Sequence, residues 1–159
     1  AREAVSVSDR LRELGLSLPE VATPVANYVP AVRHRNLVWT SGQLPLVDGA
    51  LPLTGKVGEG EGLVTPEQAT ALARVAALNG LAAVAAKVGN LDDVVRVVKV
   101  VGFVASDPSF TGQPAVVNGA SDLLGQIFGE AGLHARSAVG VSVLPLDAPV
   151  EVELVLALA

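Results

Sequence analysis

The chain has 159 residues, enough for one domain with a buried core, and half of them are apolar against 17% charged, which excludes a disordered chain. It has no cysteine, so disulfides, thiolate catalysis and cysteine-type zinc sites are excluded. With a formal charge of −5 and only 11 scattered Lys and Arg, a phosphate-tracking surface is disfavoured, and nucleic acid with it.

Aromatics are few (Trp39, Tyr28 and three Phe), so Val, Leu and Ala must fill the core. The N-terminal stretch AREAVSVSDRLRELG is charged throughout and lacks the apolar centre of a signal peptide. No run reaches the roughly 20 apolar residues of a membrane span, so the expectation is a soluble, cytoplasmic protein with no membrane partner. A single domain over 1–159 is expected, with 1–20 as an N-terminal extension.

In chain order, SDRLRELG (8–15) predicts a short helix, with Ser8 as cap, Leu11 and Leu14 on one face and Gly15 as its end. A proline-punctuated segment follows over 18–30. NLVWTSGQLPLVDGALPL reads as strand, loop, strand, with Asp48-Gly49 as a hairpin signal. GKVGEGEGLV (55–64) reads as a flexible loop; Glu59 and Glu61 and the missing GK[ST] ending argue against a phosphate cradle. TPEQATALARVAALNGLAAVAAKVG is the clearest helix: Thr65 caps it, Pro66 takes the first position, Gln68 completes a capping box and Gly89 stops it.

LDDVVRVVKVVGFVAS (91–106) is rich in β-branched residues and predicts a long central strand. A second helix is expected over about 114–129, with Val116, Val117, Ala120, Leu123, Leu124, Ile127 and Phe128 as its apolar stripe. Two strands, 136–144 and 150–158, close the chain on either side of LPLDAP. The order β-β-α-β-α-β-β implies an α+β layer, one mixed sheet with two main helices on one face.

On each closing strand the Val and Leu positions are expected under the helices. Arg136, Ala138 and Gly140, and likewise Glu151 and Glu153, would then share the other face. Two helices cannot cover both sides of such a sheet, so a second copy of the chain is expected on the far face.

Most familiar constellations fail. His34 and His134 have no metal-ligand spacing, and no metal site is expected. A triad of Ser137, His134 and Asp147 lacks a nucleophile elbow, and no GxGxxG follows a strand. What remains is Tyr28, the turn Thr40-Ser41-Gly42-Gln43, Asn118, Arg136 and Glu151. Each has a plain structural reading: turn chemistry, a capped carbonyl, an ion pair across an interface.

Together they read as a site. A guanidinium at the end of an apolar strand is a two-pronged donor for a carboxylate, and a carboxylate on another strand can orient and deprotonate a water. Those groups, with donors from the TSGQ turn, suffice to hydrolyse a polarised C=N bond without a metal. If the last two strands form a hairpin about Asp147, Arg136 lies opposite 157, roughly 20 Å from Glu151 at ~3.3 Å per residue. One chain then cannot join them, and neighbouring chains can.

The stretch ARSAVGVSVLPLDAPVEVE (135–153), with TSGQLP (40–45) after Tyr28 and VVNGASDLLGQIFGEAG, resembles the Rid family of reactive imine deaminases, formerly YjgF, over roughly 24–158. The resemblance implies a chorismate-mutase-like fold and a homotrimer with its sheets facing the centre and clefts between subunits. It implies that Arg136 holds the carboxylate of a 2-imino or 2-oxo acid and that Glu151 positions the hydrolytic water. Tyr28, Ser41 and Gly42 would line the cleft, with Asn118 on its wall. No cofactor is implied.

Archetypal members carry a cysteine two residues after the arginine, where this chain has Ala138. The extension and the 55–64 loop also depart from the shortest members. A carboxylate-binding module without turnover is the alternative, and a ribonuclease or translation inhibitor a further one.

Overall fold

The computed structural model describes residues 5–24 and 26–159. Eight main elements follow in order: α1 (Val7–Glu13), β1 (Ala31–His34), β2 (Leu37–Thr40), α2 (Pro66–Val88), β3 (Val94–Ala105), α3 (Gln113–Phe128), β4 (Ala135–Val141) and β5 (Val150–Leu158). The strands form one mixed sheet of order β1-β2-β5-β3-β4, parallel only between β3 and β4. The two long helices cover one face of it, as the α+β expectation required.

Local chemistry sets the helix ends. Thr65 accepts from the Gln68 N–H while the Gln68 side chain accepts from the Thr65 N–H, so the capping box satisfies two otherwise orphan donors. Gly89 closes α2 at φ 88°, a conformation costly for a residue with a Cβ. Ser6, not Ser8, caps α1, accepting from the Asp9 N–H at 3.0 Å. Contrary to the expectation of no span-length apolar run, α2 is by length and composition apolar enough to cross a membrane; 61% of its 18-residue apolar window is buried in the protein.

Three strand expectations need correction. The first hairpin is AVRH–RN–LVWT, turning at Arg35 with φ 56°. A two-residue hairpin turn needs positive φ, and without glycine this one gave no sequence signal. Asp48-Gly49 does turn the chain, but it closes only a single bridge between Val47 and Ala50. The Asn79 amide on α2 donates to the Leu44 and Leu46 carbonyls at 3.0 Å each, and so holds that segment against the helix rather than in a sheet.

The last two strands are not a hairpin. β5 lies between β2 and β3, while β4 is the sheet edge beyond β3. Pro145–Asp147 form a 3₁₀ turn with Leu146 and Asp147 at positive φ, and Lys56 pairs with Asp147. The 55–64 loop is pinned: the Val57 N–H donates to Ala105 O at 2.7 Å, the Asp107 N–H to Val57 O at 2.9 Å, and Val57 and Val64 are buried.

Small residues let the layers approach. A Cβ at Gly102 on β3 would lie 2.7 Å from Val117 Cγ1 on α3. At Gly119 it would overlap the Thr70 carbonyl oxygen of α2 and lie 2.9 Å from that carbonyl carbon. Backbone cannot step aside as a side chain can, so Gly119→Ala is expected to force α2 and α3 apart. The expected cost is about 1–3 kcal/mol or more, read as a drop in the denaturant midpoint; an unchanged midpoint would contradict this crossing geometry.

Candidate functional site

Register decides which face each polar residue takes. Val100 of β3 stands opposite both Arg136 of β4 and Leu154 of β5, and Val100 and Leu154 are fully buried under the helices. Arg136 and, two residues on, Ala138 therefore lie on the helix face, and Ala138 packs against the main core. Ser137, Val139 and Val141 take the open face, the reverse of the expectation for this strand. On β5 the expectation holds: Val150, Val152, Leu154, Leu156 and Leu158 are buried, and Glu151 and Glu153 face out.

Arg136 reaches α3. Its Nη1 donates to Asn118 Oδ1 at 2.7 Å and to Ser121 Oγ at 3.2 Å, and its Nη2 donates to the Pro114 carbonyl at 3.2 Å. Asn118 and Ser121 are three residues apart on one helix face, which is why both meet the same side chain. All these partners are neutral. Among the described residues the ion pairs are Arg10–Glu13, Arg12–Asp9 and Lys56–Asp147, so Arg136 has no carboxylate within ion-pair distance. Of a guanidinium's five N–H donors, Nε–H and one N–H on Nη2 stay open to a ligand. An open groove of about 640 Å³ runs alongside, lined by Ser121, Asp122, Gln126, His134 and Arg136.

Glu151 heads a second group. The Gln43 N–H donates to Val152 O at 2.8 Å and the Val152 N–H to Gln43 O at 3.0 Å, which lays the TSGQ turn alongside β5. Thr40 Oγ1 accepts from the Leu154 N–H at 2.9 Å and extends that contact. Gly42 then lies flat against Glu151: a Cβ there would sit 2.7 Å from the carboxyl carbon and overlap Oε2. Ser41 Oγ donates to Val29 O at 2.6 Å, tying the Tyr28 segment to the turn. Tyr28 and Gly42 share a small cavity of about 50 Å³ with Pro30, Leu44 and Leu146. Burial first, and the Glu153 charge second, push the Glu151 carboxyl above its ordinary pKa.

The structure thus brings Arg136, Asn118 and Ala138 together, and separately Tyr28, Ser41, Gly42 and Glu151. Arg136 and Glu151 are two strands and three residues apart, roughly 14 Å at ~4.8 Å per strand and ~3.3 Å per residue, and on opposite faces. The hairpin distance is superseded, yet one chain still cannot present both to one ligand. Sequence reasoning missed Ser121, and set His134 aside once the triad and metal readings failed. The i, i+3 spacing from Asn118 and the i−2 position before Arg136 were the available signals. Among the described residues, no three His, Asp or Glu gather to hold a metal.

A five-stranded mixed sheet of this order, roofed on one side by two helices, is the chorismate-mutase-like α+β fold. Residues 8–158 match the family described as "YjgF/chorismate mutase-like, putative endoribonuclease", and the chain belongs to that family. It is 46% identical over 148 residues to Protein TCP17 of Trypanosoma cruzi, covering 92% of this chain and 91% of the relative. Protein Atu1372 of Agrobacterium tumefaciens, of unknown function, superposes with a TM-score of 0.87 at 43% identity, covering 96% of this chain and 92% of that one. The YjgF gene product of E. coli gives 0.60 at 26% identity, over 87% and 98%.

The Glu151 environment has a pH signature. Its folded pKa lies above its unfolded value, so its contribution favours folding at low pH and is lost as pH rises through the folded pKa. Glu151→Gln is expected to raise Tm at pH 7–8 and to change it little near pH 4. Melting curves at both values check this, and equal shifts would contradict it. Gly42→Ala meets only the flexible end of Glu151, so it is expected to preserve the melting temperature within about 2 °C while displacing the carboxylate.

Proposed function

We propose that the protein is a hydrolytic deaminase of reactive 2-imino acids and their enamine tautomers, releasing a 2-oxo acid and ammonia. The observation that carries this reading is Arg136: a guanidinium oriented by three neutral groups, with no carboxylate partner among the described residues and two N–H donors not used by them. Such a group keeps its full charge for an anionic ligand. Membership in the YjgF family supports the reading.

In the proposed reaction Arg136 fixes the substrate carboxylate. The Glu151 carboxylate takes a proton from water as the water oxygen attacks the imine carbon. The protonated Glu151 delivers that proton to the nitrogen, giving the carbinolamine; Glu151 then takes the hydroxyl proton and passes it to the nitrogen as the C–N bond breaks, which expels ammonia and leaves the C=O of the 2-oxo acid. A raised carboxyl pKa brings Glu151 closer to the value at which accepting and returning a proton are both facile. Gly42 permits the carboxylate its position, and Tyr28 and Ser41 shape the adjoining wall.

Because Arg136 and Glu151 occupy opposite faces, the reading requires the open face of one copy to lie beside the β4 edge of another. We propose a homotrimer with its sheets inward. Val32, Trp39 and Val139 are exposed on that open face, next to the partly buried Val101, Phe103 and Val155. An apolar surface of this kind is normally covered.

The test is competition with semicarbazide for 2-iminobutyrate generated in situ by an amino-acid oxidase. Wild type is expected to suppress semicarbazone formation. Arg136→Ala is expected to lose roughly 10- to 100-fold in kcat/KM, the worth of a charged hydrogen bond, and Glu151→Gln about 100-fold or more. Light scattering should give three chains per particle, and a stable monomer would remove the shared cleft. Binding of 2-oxobutyrate at Arg136 without turnover would instead make the protein a carboxylate-binding module.

A further inference from the structure

Behind Arg136 lies a hydrogen-bond chain that runs in one direction when the His134 ring is neutral. His134 Nδ1 is 2.6 Å from the Gly132 carbonyl, which can only accept, so Nδ1 carries a proton. In the neutral ring Nε2 is then an acceptor, and the Ser121 hydroxyl, 2.8 Å away, must donate to it. That leaves the Ser121 oxygen lone pairs to accept from Arg136 Nη1 at 3.2 Å. The chain thus runs from Arg136 through Ser121 and His134 to the backbone at Gly132. Asn118 and the Pro114 carbonyl hold the guanidinium from other sides.

We infer that Ser121 and His134 are positioning residues that lock the plane of the Arg136 guanidinium for bidentate capture of a carboxylate. A free arginine head rotates about its last bonds and must be ordered when it binds, a cost the lock removes in advance. The lock contains no anion, so it orients the guanidinium without neutralising it. The seryl oxygen serves as a link and not as a nucleophile: Ser121 lies within α3, where neighbouring backbone N–H groups are committed to the helix and none is left to receive an oxyanion. The inference rests on Arg136 as the carboxylate-binding group in the proposed deaminase.

The experiment has a ligand-free arm and a ligand arm on Ser121→Ala, His134→Ala and Ser121→Thr in the full chain. In side-chain ¹⁵N spectra, wild type is expected to show separate Arg136 Nη signals from hindered rotation. Ser121→Ala and His134→Ala should average them, and Ser121→Thr should restore them. With ligand, Ser121→Ala should weaken 2-oxobutyrate about 3- to 10-fold, the worth of one neutral hydrogen bond, and leave 2-oxobutyramide unchanged. The same change should appear in KM for 2-iminobutyrate with kcat within about twofold, because the contact is equally present in ground and transition states.

Averaged Nη signals in wild type, or signals unchanged by Ser121→Ala, would overturn the lock whatever the ligand result. Equal weakening of the acid and the amide would overturn its role in carboxylate capture. Resolved signals that respond to the variants, with no 2-oxobutyrate binding by wild type, would uphold the lock and defeat the deaminase reading.

Discussion

The parallel pairing of β4 with β3 governs the rest of the molecule. Neighbouring parallel strands need a crossover, and α3 supplies it by lying on the same sheet face as α2. That placement sets Asn118 and Ser121 above the first residues of β4, so the side chain of Arg136 meets a helix wall. On the other side of β3, antiparallel β5 aligns Glu151 with Phe103, three residues from the Val100 that faces Arg136. Three is odd and side chains alternate, so the arginine and the glutamate must emerge on opposite faces. Two copies are needed before they can act on one molecule.

Packing and electrostatics give the two groups different characters. Gly102 and Gly119 allow β3, α3 and α2 to approach closely enough for α3 to reach Arg136. The guanidinium there is held by neutral dipoles and keeps its charge. Glu151 is half-buried and stands on the same face as Glu153, so its ionised form is disfavoured. The proposed deamination uses the first to hold an anionic substrate and the second as a group that gains and loses a proton. A hydrolytic deaminase needs both.

Much of this was legible in the residues. Thr65, Pro66, Gln68 and Gly89 marked the long helix because caps are local chemistry. The period-2 pattern of β5 marked its buried face, since both its edges are paired and one face is wholly covered. The same pattern misled for β4. It is an edge strand, and its Val139 and Val141 lie on the open face while Arg136 and Ala138 lie under α3. The AVRH strand was missed because its turn uses Arg35 where glycine is usual. The lock residues stayed hidden because Ser121 and His134 are distant in sequence and meet only through the β3–α3–β4 crossover.

By itself, the sequence determined the α+β class, the ends of the long helix α2 and the choice of Tyr28, Ser41, Gly42, Asn118, Arg136 and Glu151 as candidate site residues. Those depend on caps, on periodicity and on motifs whose spacing is written along one chain. Which strands are neighbours, which face Arg136 takes, what holds its guanidinium and why a side chain at Gly42 would displace the Glu151 carboxylate were decided by tertiary structure. Each is a contact between segments far apart in the chain, set by register and layer packing, and neither composition nor local pattern encodes it.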